Sequence, residues 1–179
     1  MSYTIEEHKH RYAAWAASRA ASTKTCRFSV LQGKSIVEAT GLSLLIAGPS
    51  LLPSPQDVDG KHREWRNAAV QSANAMGLND FTHGIAAKLI NVYLKGAFVC
   101  AGHQMHANVA ALHPPIDSLL LDELYDGAIG GQRPVWAAAR KIRWSKFNSD
   151  QYESVIDGIR IALGELPLWH VERYWRGYQ

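Results

Sequence analysis

Apolar residues recur along most of this chain at intervals of three and four, and no segment alternates with period two over a strand's length. The pattern predicts an all-α protein. Its most apolar stretch, Gly84 to Lys95 and on to Val99, places Ile85, Leu89, Val92 and Val99 on one helix face at about 100° per residue. Ala86, Ile90, Tyr93 and Ala97 flank that face, and only Lys88, Asn91 and Lys95 interrupt it, as a narrow polar stripe. A helix apolar over most of its circumference is a buried helix, so this one is expected at the centre of the fold.

Other helices follow from caps and breakers. Thr4, with Glu6 and Glu7 behind it, opens a helix through Tyr12 to Ala21, whose many alanines favour close helix packing. A second covers Ser29 to Ala39 and ends at Gly41; Ser43 to Gly60 reads as a loop. Asp57 or Asp59 opens a third, through Trp65, Ala69 and Ala73 to Gly77. The central helix has two possible starts: Thr82 as N-cap leaves a hairpin at Leu78 to Phe81, whereas Asn79 as N-cap abolishes it. Pro114-Pro115 breaks the chain and Asp117 caps a helix from Ser118 to Leu124. Pro134 opens a helix on which Trp136, Arg140, Arg143 and Phe147 lie within about 60° of each other, and Asp150 starts a last long one through Tyr152, Val155, Ile159 and Leu163. The aromatics of Leu166 to Trp175 read as core or as the lining of a pocket. The expectation is seven or eight helices in a single compact domain spanning residues 1–179.

Composition narrows the class without naming a function. The 179 residues are 47% hydrophobic and 20% charged, as in ordinary globular proteins. Cys26 and Cys100 are too few for a disulfide framework or a four-cysteine cluster, which fits a reducing cytoplasm. There is no basic-then-apolar leader and no run of eighteen apolar residues, so a cytoplasmic protein without a membrane partner is expected. A net charge of +3 argues little, but its distribution says more. Between Gly127 and Ser149 lie Arg133, Arg140, Lys141, Arg143 and Lys146 with no acid, while acids crowd both flanks. Aromatic and basic residues on one face suit a nucleic-acid backbone with stacking bases; Trp and Phe in the core beneath arginine stems fit the same spacing.

Candidate chemistry concentrates on the apolar helix. Desolvation of Lys88 would disfavour its ammonium, and a neutral amine is what a nucleophilic lysine needs. The same spacing fits Lys88 and Lys95 reaching water along their stems. Asp117 is an N-cap, and a capping carboxylate is also fixed and ionised, as the stabilisation of a developing cation requires. His103 and His106 could face one way with His113 as a third ligand, but no carboxylate or cysteine accompanies them at a familiar spacing, and no metal is expected. Gly127 to Gly131 lacks the Lys-Ser/Thr pair of a phosphate-binding loop.

Gly84-Ile85-Ala86-Ala87-Lys88, followed by Pro115-Ile116-Asp117, resembles the signature of the helix-hairpin-helix DNA glycosylases, in particular the 8-oxoguanine branch. The resemblance covers roughly residues 79–126. It implies a glycosylase-like helical fold, Lys88 as nucleophile, Asp117 as catalytic carboxylate, and Gly84 and Ala86 in a hairpin that grips DNA. It also implies a nucleic-acid partner, DNA above RNA, no cofactor, and base excision with strand cleavage. Arg140, Lys141, Arg143 and Lys146 would then neutralise phosphates. Ala86 stands in place of a second glycine, Thr82 and His83 replace the usual Leu and Pro, and the Lys88–Asp117 separation is longer than in the common form. The chain is also similar to bacterial proteins that share an Ala-x-Lys-hydrophobic-hydrophobic-Asn helix and a Pro-x-Asp, which adds no activity. The alternative is a non-catalytic helical protein that binds nucleic acid or a protein partner.

Overall fold

The computed structural model describes residues 3–179, and most of its helices start where a short polar side chain accepts the free N–H groups of the first turn. Helix α1 (Ile5–Ala21) is capped by Thr4, and α2 (Val30–Ala39) by Ser29, with Gln32 completing a reciprocal capping box. Two short 3₁₀ turns, Leu42–Leu45 and Pro49–Leu51, occupy much of the stretch expected to be loop. Helix α3 (Val58–Ala75) follows Asp57. Helix α4 (His83–Leu94) starts at Thr82, whose hydroxyl accepts from the Ile85 N–H, so the start that preserves a connecting hairpin is the one adopted. Then come α5 (Ala107–Ala110), α6 (Ser118–Asp126) capped by Asp117, and α7 (Arg133–Ile142). The last, α8 (Ser149–Leu163), starts at Asn148 and not Asp150, because Asn148 and Gln151 form a second capping box. A 3₁₀ segment, Leu168–Tyr174, leads to the C-terminus. No strand occurs among the described residues, and the fold is all-α.

Two apolar clusters share α4. One gathers α1, α2 and α3 around Ile85, Leu89, Ile90 and Tyr93; the other gathers α6, α7 and α8 around Trp136, Tyr152 and Ile156, and takes Ala87 from α4. Val92 and Val99 are both half-buried against the first cluster, the one that holds Ile85 and Leu89. Beyond Leu94 the helix continues as a π-helix, Lys95–His103, whose wider turn shifts the register, and Gly102 ends it at φ +91°. The run His83–His103 is long and apolar enough to cross a membrane, yet 67% of its most apolar window is buried inside this fold.

Gly84 lets the two clusters meet. A Cβ there would lie 1.8 Å from the Trp144 carbonyl oxygen, and the Gly84 N–H donates to the Phe147 carbonyl at 3.1 Å. Below this contact runs a buried polar chain. Asn91 donates to the Pro114 carbonyl (2.8 Å) and the Tyr152 hydroxyl (2.9 Å), leaving its own oxygen to accept from His62 Nε2 at 2.7 Å. Tyr152 in turn donates to His113 Nδ1 at 3.0 Å, and His113 Nε2 donates to Asp59 at 2.8 Å. Burial holds both His62 and His113 below the usual histidine pKa. At the edge of the same seam Glu153 accepts from Arg63 and Arg66, and those hydrogen bonds pull its carboxyl down to about 2.

Gly84→Ala should destabilise the protein by several kcal/mol, on the order of 3, because the obstacle is backbone and not a flexible side chain; urea unfolding of the two proteins checks this. Stability should also fall with acid in two steps. Histidines kept neutral by the fold cost stability as pH falls below their unfolded value of about 6.5. Glu153, depressed in the fold, loses its contribution as pH falls from about 4.5 towards about 2. His62→Gln should flatten the first step and leave the second, as read from urea midpoints across that range.

Candidate active site

Lys88 stands in mid-α4, and Asp117 reaches it from the N-terminus of α6. The Lys88 Nζ donates to Asp117 Oδ2 at 2.9 Å across 29 residues of sequence. Lys88 is only 7% exposed, so it does not snorkel to water. Asp117 is held from three sides: the Trp175 indole N–H donates to Oδ2 at 3.0 Å, and the Leu120 N–H donates to Oδ1 at 2.9 Å. A carboxylate gripped in this way keeps its direction. The Lys88 ammonium also lies 5.9 Å from the centre of the Trp144 ring, within cation–π range. Lys95, one turn along the stripe and beyond, is engaged elsewhere: it pairs with Glu172 and faces the Trp175 ring.

The placement of Asp117 follows from the seam. Asn91, one turn after Lys88 on α4, grips the Pro114 carbonyl, and three residues on from Pro114 the chain presents Asp117 to Lys88. Two side chains of one helix thus fasten one short loop. A cavity of about 480 Å³ is lined by Ser118, Leu121, Trp144, Arg143 and their neighbours; Lys88 and Asp117 are not among its lining residues and adjoin it only through Trp144 and Ser118. Arg143 holds φ at +76°, a left-handed conformation uncommon for a residue with a side chain. That strain turns the chain out of α7 and sets Trp144 against Lys88.

Several expected site residues sit differently. Ala86 is fully buried in the first cluster and Gly84 spends its N–H on Phe147, so neither presents the hairpin surface expected to grip nucleic acid. The shared face of Trp136, Arg140, Arg143 and Phe147 does not form. Helix α7 stops at Ile142, and Trp136 and Phe147 are core residues. Arg140, Lys141 and Arg143 do line the cavity, but Arg140 is committed to Asp122 at 2.6 Å and lies over Tyr125. Lys146 points elsewhere, close enough to Cys26 to act on its thiol. Among the histidines, His106 caps α5, His113 is locked between Tyr152 and Asp59, and a turn after His103 followed by the extended backbone of His106 means that no helix aligns the two. Among the described residues no three metal-binding side chains converge.

Trp144 was not legible as a site residue, and Trp175 only as one of the C-terminal aromatics read as core or pocket lining. Their roles depend on the turn at Arg143 and on the path of the C-terminal segment, neither of which has a local sequence signature. Compared with known proteins, the chain matches no family model, no curated protein and no solved structure.

Proposed function

We propose that this protein is a base-excision enzyme acting on nucleic acid, with Lys88 as nucleophile and Asp117 as its carboxylate partner. The observation that supports this most is the buried Lys88–Asp117 contact, with the Trp144 ring against Lys88. In the reaction Lys88 gives a proton to Asp117, and the neutral amine attacks the anomeric carbon of the sugar. The glycosidic bond breaks, its electrons leave with the base, and the base takes the proton that Asp117 received, which returns Asp117 to a carboxylate. The second amine proton passes to the ring oxygen as the ring opens, leaving a Schiff base from which β-elimination cleaves the strand. Asp117, fixed by Leu120 and Trp175, stabilises the positive sugar. Trp144 offers a flipped base a face to stack on. No cofactor enters these steps.

The Trp175 hydrogen bond to Asp117 favours a second reading, in which the ion pair is a structural clasp and the protein binds nucleic acid without chemistry. Borohydride reduction separates the two. With a susceptible abasic or modified oligonucleotide, the parent and an exposed-surface control, Lys61→Gln, should both yield a covalent adduct, and Lys88→Gln should yield none. An adduct formed equally by Lys88→Gln would leave only the clasp.

The two partners should also differ in stability. Lys88→Gln leaves Asp117 with two other donors, whereas Asp117→Asn leaves a buried ammonium facing only a ring, a loss on the order of 3 kcal/mol. Urea unfolding should therefore rank Asp117→Asn as the less stable variant, and Asp117→Asn that still folds should bind oligonucleotide while reacting slower by orders of magnitude.

A further inference from the structure

We propose that the outward face of α1 and the α1–α2 corner form a binding track for single-stranded nucleic acid, with Tyr12 and Trp15 stacking on bases and Arg19, Lys24 and Arg27 holding phosphates. The alanine face of α1, with Ala13, Ala14, Ala17 and Ala21, is buried against its neighbours. Tyr12, Trp15 and Arg19 recur three and four residues apart and point the opposite way. Tyr12 is 61% exposed and Trp15 51%, with their rings 6.0 Å apart and covered by no other element. Two large aromatic rings left side by side in water offer faces on which unpaired bases can stack.

The stripe runs into a cavity of about 570 Å³ at the α1–α2 corner, lined by Arg19, Lys24 and Arg27 together with the hydroxyls of Ser22 and Thr23 and the ring of Phe28. Among the described residues none of these three cations has a carboxylate partner, whereas Arg11, Lys34, Lys61, Arg63 and Arg140 all do. The sequence explains why: no acidic residue occurs between Glu7 and Glu38. The corner therefore keeps a positive field that no ion pair among the described residues neutralises, and the first turn of α2 adds the positive end of its dipole. Aromatic faces followed by unpaired cations match one strand of a polynucleotide, whose bases are free to stack and whose phosphates are spaced along it. A duplex hides its base faces and would use only the cations. This track lies on the side of α1 turned away from α4, so it stands whether or not Lys88 is a nucleophile.

Anisotropy of a fluorescein-labelled oligothymidine, titrated with the full chain at several salt concentrations, tests the proposal. The parent should bind, and the duplex form more weakly. Arg19→Glu/Lys24→Glu/Arg27→Glu should weaken binding and flatten the slope of log K against log salt by about 2, at roughly 0.7 per phosphate lost. Tyr12→Ala/Trp15→Ala should lower affinity about tenfold at fixed salt and leave the slope alone. Circular dichroism should show both variants folded, since every altered side chain is exposed, and the exposed-surface control Lys61→Gln should bind the oligothymidine as the parent does. The proposal fails if the parent does not bind, or if both variants bind like the parent. It fails equally if the patch serves another occupant: anionic phospholipid vesicles captured in preference to the oligonucleotide, or a dimer in sedimentation that Tyr12→Ala/Trp15→Ala dissolves.

Discussion

Burying α4 on every side takes Lys88 and Asn91 out of water, and a buried ammonium or amide without partners would cost several kcal/mol. One short loop supplies both sets of partners: the Pro114 carbonyl for Asn91 and the Asp117 carboxylate for Lys88. The loop is thereby pinned at two points to residues one turn apart, and the two fastenings fix its register along the helix. Helix α6 starts where the loop ends, so the docking of the second apolar cluster onto α4 inherits that register. The polar chain continuing from Asn91 through Tyr152 and His113 to Asp59 ties α3 and α8 to the same seam.

The site is a by-product of this seam and borrows its rigidity. Lys88 gains its environment from the two clusters that close around α4, and Asp117 its direction from the α6 backbone and the Trp175 indole. Trp144 reaches Lys88 because Gly84 allows the Trp144 carbonyl to lie against α4 where any side chain would collide. A buried ion pair held in this way needs support from several elements at once, since displacement of any one would move a charged group within a medium of low polarity.

Charge behaves differently along the chain and in space. The segment Gly127–Ser149 is basic by count, yet Arg140 is taken by Asp122, an acid from the flank outside it. The α1–α2 corner is less conspicuous by count, but among the described residues Arg19, Lys24 and Arg27 form no ion pair. A positive field depends on which cations remain unneutralised after folding, and a sequence count does not report that.

The sequence by itself determined the helices and the centrality of α4. Thr4, Ser29 and Asp117 cap the helices they precede, because N-capping is an interaction between residues two or three apart, whereas the choice of Thr82 over Asn79 was made by the structure. The all-apolar circumference of Gly84 to Leu94 sufficed to bury it, and the pairing of Lys88 with Asp117 was legible only through the motif that resembles a glycosylase. Tertiary structure decided what depends on distant partners. The π-helical turn after Leu94 changed the register from Lys95 to His103, and the left-handed Arg143 ended α7 and dissolved the shared face of Trp136, Arg140, Arg143 and Phe147. His113 became a buried link to Tyr152 and Asp59, residues 39 and 54 positions away. Periodicity projects a straight helix and carries no term for a register shift, a backbone reversal or an ion pair closed through space, and those three decided where the functional side chains point.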